Sequence, residues 1–102
     1  MNAAEWVRER VSSAPRELVD AMVAAAAPYA DLPAADGLAE AALALYRRVA
    51  AGAGTRADAL DLLAADALFT HAFQAQAEMA PDALGEFAEC WSGQGRLAEV
   101  VP

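Results

Sequence analysis

From Thr55 to Ala80 the chain runs without a glycine or a proline, and Pro81 is the first residue that interrupts it. The stretch reads as one helix over about residues 56–80, roughly 37 Å long at 1.5 Å per residue, with Thr55 and Asp58, three residues on, marking its start. On a helical wheel its first half sets Leu60, Leu63, Ala64 and Ala67 on one side. Its second half sets Leu68, Phe69, Ala72 and Phe73 on nearly the opposite side. Such a helix needs cover on both faces. It is expected to be the central rod of the fold, or a rod with one half in the monomer core and the other in a subunit interface, and Leu60, Leu63, Leu68, Phe69 and Phe73 are the candidate interface.

The remaining segments are also helical in period, and no strand candidate emerges. Asn2 with Glu5 has the spacing of a capping box and opens a short first helix carrying Trp6, Val7 and Val11. A second helix is expected from about Ala14 to Ala27, with Leu18, Val19, Met22, Val23 and Ala26 in one arc. Pro28 and Pro33 bracket a turn. A third, from about Ala34 to Ala51, buries Leu38, Ala42, Leu45, Tyr46 and Val49 and leaves Glu40, Arg47 and Arg48 in water; Gly52 and Gly54 end it. Pro81 and Asp82 open a fifth with Leu84, Phe87, Ala88 and Trp91 inside, which stops at Gly93 and Gly95. The tail, with Leu97, Val100 and Val101, docks as a last half-turn. The expected fold is all-α: a compact single-domain bundle, residues 1–102, of four main helices plus a short N-terminal one.

Thirty of the 102 residues are Ala, none is Ile, and only 11 are Leu, so the core is poor in large side chains and a partner surface would relieve it. The seven positive charges are all Arg, scattered along the chain, against 15 acids, for a net charge of −8. A phosphate backbone would meet a repulsive surface, which argues against nucleic-acid binding. No apolar run is long enough for a secretory signal or a membrane span, and the expected location is the cytoplasm. The single Cys90 rules out an internal disulfide.

Residues able to carry chemistry are few. His71, the only histidine, extends the Leu60 and Ala64 stripe, and Glu78, the one acid on its face, lies two turns away, about 10 Å along the axis. A structural, partly buried histidine is the expected role. Asp58, Asp61 and Asp66 share a broad face that reads as solvated rather than as a cation site, and no metal or cofactor is expected. Gly52 to Arg56 offers backbone N–H groups to an anion at a helix start, but its Walker spacing and Lys are missing and Asp58 would repel phosphate. Cys90, at the edge of an apolar arc and near acids, reads as a buried or half-buried space-filler.

Leu62 to Gln74, reading LLAADALFTHAFQ, resembles the helix of trans-prenyl diphosphate synthases with the approximate pattern L-A-G-D-A-L-L-T-x-A-F-E. The likeness covers about 13 residues, a packing element of that family. The family's magnesium-binding DDxxD motifs have no counterpart here, since no two aspartates are adjacent and no Lys is present. The resemblance implies an isoprenoid-synthase-like helical fragment, without prenyl transfer.

The expected function is therefore noncatalytic association, as a homo-oligomer or as an accessory to a larger protein. The second expectation is a binder of an apolar, isoprenoid-like small molecule held between the fourth and fifth helices beside Phe69, Phe73 and Phe87.

Overall fold

The computed structural model describes residues 1–92 and 95–100. Among them the chain forms five α-helices, α1 (Ala3–Arg10), α2 (Arg16–Ala26), α3 (Ala34–Ala50), α4 (Arg56–Met79) and α5 (Leu84–Trp91), with single 3-10 turns at Ala27–Tyr29, Pro81–Ala83 and Arg96–Glu99. The fold is the all-α bundle that the periodicity implies. The expected helix stop at Gly93 and the docking of Val101 lie outside the described residues.

Local chemistry sets the helix ends. Asn2 Oδ1 accepts from the Glu5 N–H and Glu5 Oε1 from the Asn2 N–H, both at 3.0 Å, a complete capping box on α1. Thr55 and Asp58 make the same reciprocal pair on α4 at 3.3 and 3.1 Å. Proline restricts the residue before it to extended backbone, and Ala80 takes φ −151° and ψ 74°. The chain therefore leaves α4 sharply. Pro81 starts a 3-10 turn instead of the fifth α-helix expected there, and α5 begins three residues later.

The most extensive contact in the molecule is between α3 and α4. Both helices contribute alanines to the core, Ala39, Ala41 and Ala42 from α3 and Ala64, Ala65, Ala72 and Ala75 from α4, and small side chains let helix axes approach closely. The short loop between them makes them an antiparallel hairpin. Cross-pairs run Arg48 to Asp61 and then Tyr46 to Asp66 moving away from the turn, as that direction requires. Met22, Leu38, Leu45, Leu68 and Val7 are the largest side chains sealed completely inside.

α4 is central to the fold: α2, α3 and α5 all pack on it, and the molecule's longest dimension, 39 Å, is close to the helix's own length of about 36 Å. The buried positions expected on the other helices hold at Trp6, Val7, Val11, Met22, Ala26, Leu38, Ala42, Leu45, Phe87 and Trp91. Leu18, Val19, Val23, Tyr46 and Val49 are only half-buried.

Candidate functional site

The two halves of α4 meet different surroundings. On its C-terminal half the candidate interface residue Leu68 is fully buried in this chain's own core, and Phe69 and Phe73 pack against that core. Rings continue from Tyr46 through Phe69 and Phe73 to Phe87 in edge-to-face contacts, with centroids 6.3, 5.2 and 5.2 Å apart, and Trp91 comes next at 6.2 Å. Such contacts add about 0.5–1.5 kcal/mol each beyond area burial. The turn at Pro81 is what folds α5 back to supply Phe87 and Trp91. Leu68 is thus an internal packing residue, Phe69 and Phe73 are half-buried and engaged in this chain's own ring contacts, and of the five candidates Leu63 is left exposed with Leu60 half-buried beside it. The gap among Leu43, Tyr46, Phe69, Trp91 and Leu97 admits no water molecule.

On the N-terminal half, Leu63 is 61% exposed and Leu62 42%. Leu60 is half-buried. Leu60 and Leu63 line an open groove of about 280 Å³ between the start of α2 and the start of α4. Leu18 with Pro15 forms its α2 wall, and Ala59 belongs to the α4 wall. Glu17 stands on the first wall and Arg56 on the second. The lining between the two charges is apolar, and α2 covers the leucine stripe only in part.

Several other polar groups are engaged within the fold. Gly54, at φ +75°, adopts the left-handed conformation that glycine tolerates best, and the Asp58 carboxylate curls back to accept from the Gly54 N–H at 2.8 Å. A Cβ on Gly52 would sit 2.5 Å from that carboxylate. The turn that could cradle an external anion is occupied by the chain's own Asp58, and these backbone N–H groups hold its carboxyl below the usual range. Asp61 pairs with Arg48 at 3.4 Å, and Asp66 accepts from the Tyr46 hydroxyl at 2.5 Å. The three acids, of which Asp66 is exposed and the other two half-buried, also tie α4 to its leading turn and to α3. Burial, with that hydrogen bond to Asp66, raises the Tyr46 pKa. No group of three His, Cys, Asp or Glu among the described residues is placed to hold a metal.

His71 is half-buried and its Nδ1 accepts from the Trp6 indole N–H at 3.3 Å. Indole is a donor only, so the neutral ring carries its proton on Nε2. Burial lowers the His71 pKa, the nearby Arg10 lowers it further, and Gln74 opposes them. Arg10 covers the Trp6 ring at 4.3 Å and grips Glu78 with two bonds of 2.8 and 2.7 Å. Glu78 thus binds α1 rather than His71, and the histidine serves as a packing and hydrogen-bonding residue between α1 and α4.

A matching arrangement closes the other end. Arg96 lies over Trp91 at 5.0 Å, contacts Glu40 at 2.9 Å and Glu99 at 3.2 Å, and Glu99 also meets Arg47 at 2.6 Å. Glu40, expected in water, is half-buried because the C-terminal turn folds over it. Cys90, expected inside, is exposed. Its position at the edge of the apolar arc leaves it just past the core, which Phe87 and Trp91 fill.

Among the described residues no helix is long and apolar enough to cross a membrane. No family model matches the chain, and no curated protein and no solved structure matches it.

Proposed function

We propose that this chain is a noncatalytic association protein that pairs with a second copy of itself through the groove between α2 and α4. The observation that carries the reading is Leu63, a large apolar side chain 61% exposed beside a hollow lined by Leu18 and Leu60. A core rich in alanine gains little from large side chains, so burying this apolar face against another molecule would add stability. The single exposed Cys90 suits a reducing compartment, and cytoplasmic residence is part of the proposal.

Light scattering after gel filtration tests it. The wild-type chain is expected to shift from monomer to dimer as concentration rises, and Leu63→Glu to stay monomeric with an unchanged helical circular dichroism spectrum. A wild-type chain that remains monomeric at every concentration refutes self-association. Recovery of a different, larger protein with a tagged copy would then indicate an accessory role instead.

A further inference from the structure

The charges flanking the groove carry the association reading further, and the inference rests on that reading. Glu17, in the first turn of α2, and Arg56, the first residue of α4, are both exposed and line the same groove. Neither side chain makes an ion pair or hydrogen bond with any described residue. Arg10, Arg47, Arg48 and Arg96, by contrast, each meet a carboxylate within 3.4 Å. Arg56 also places a positive charge at the positive end of the α4 dipole, where a cation is disfavoured and an added carboxylate would be welcome.

A two-fold dimer uses one patch twice, so the patch must complement itself. An apolar strip with an anion on one side and a cation on the other meets that condition. We propose that two copies pair about a two-fold axis across this groove, with Leu60 and Leu63 packed at the centre and Glu17 of each copy facing the partner's Arg56. The net charge of −8 opposes the approach of two copies, but screening over about 8 Å at physiological salt confines the decisive interactions to the groove itself. A stable interface usually buries about 800 Å² per copy, roughly one-seventh of this chain's 5760 Å² surface. This groove is smaller than that, so the dimer is weak and dissociates on dilution.

Sedimentation velocity with Glu17→Arg and Arg56→Glu, alone and mixed, tests the arrangement. Each single variant sets like charges opposite each other twice and is expected to weaken the dimer about tenfold or more. The equimolar mixture restores both opposite pairs and is expected to recover dimerisation, as a heterodimer that native mass spectrometry distinguishes by mass. Glu17→Arg is the most informative single change, because it moves the net charge from −8 to −6 and reduces overall repulsion. Its loss of dimer therefore reports a local clash. Single variants that dimerise like wild type, or a mixture that stays monomeric, overturn the cross-pairing; if Leu63→Glu still dissociates the wild-type dimer, the association reading survives. A wild-type chain without any dimer overturns both.

Discussion

The C-terminal half of α4 packs Leu68, Phe69 and Phe73 against its own chain, whereas the N-terminal half, with a comparable supply of large apolar residues, leaves Leu62 and Leu63 exposed. The difference lies in the segment packed beside each half. Beyond Met79 the Pro81 turn sends α5 back across Phe69 and Phe73, and Phe87 and Trp91 complete a continuous run of rings. At the other end, α2 presents Leu18 at its edge, and Leu60 and Leu63 keep a groove open beside it. Where large side chains are scarce, the fold covers one half of a long helix better than the other, and the less covered half retains apolar surface for association.

Three changes break or sharpen that contrast. The largest effect is expected from Phe87→Ala, which removes the ring between Phe73 and Trp91 and should cost about 3–5 kcal/mol in urea unfolding. Leu63→Ala on the open half, measured at a dilution where the chain is monomeric, should stay within about 0.5 kcal/mol of wild type. Comparable losses from the two would mean that the halves are enclosed alike. Next comes Gly54→Ala, which forces a Cβ into left-handed backbone at the start of α4 and should cost about 1–2 kcal/mol. The loss should appear as a lower midpoint with unchanged slope.

The smallest effect concerns pH. His71 has a folded pKa below its ordinary 6.5, so the unfolded chain takes up the proton first as pH falls. Its favourable contribution is complete above 6.5, declines as pH drops below that value, and levels off below the folded pKa. Protonation also turns Nδ1 into a donor and ends the bond from Trp6. Unfolding curves at about pH 7 and about pH 5 should show that decline, and His71→Gln should flatten it. The depressed carboxyls of Asp58 and Glu78 stabilise in full above their ordinary 3.8 and 4.5 and lose that contribution as pH falls further, toward their lower folded values. A slope unchanged by His71→Gln would remove this role from the histidine.

Much of the helical framework is legible in residue order because it depends on neighbours a few positions apart. The capping boxes at Asn2 and Thr55, the break at Pro81 and the stripes through Leu38 and Leu68 are all of that kind. The destinations of polar side chains are not. Trp6 reaches His71 across 65 positions and Arg10 reaches Glu78 across 68. Glu40 loses its water to a turn near the opposite end of the chain. A helical wheel gives each residue a direction, but whether a neighbour waits there depends on how other segments return.

Helix content and the two-sided character of residues 56–80 were settled by the sequence alone, and helix ends to within a few residues, since hydrogen bonds and side-chain periodicity within one helix require nothing distant. The tertiary structure decided which side was spent. Phe69 and Phe73 became half-buried ring partners where α5 folds over them, and Leu63 stayed exposed because α2 covers the Leu60 and Leu63 stripe only in part. Burial depends on the summed geometry of segments far apart in the chain, and no short window of residues contains it.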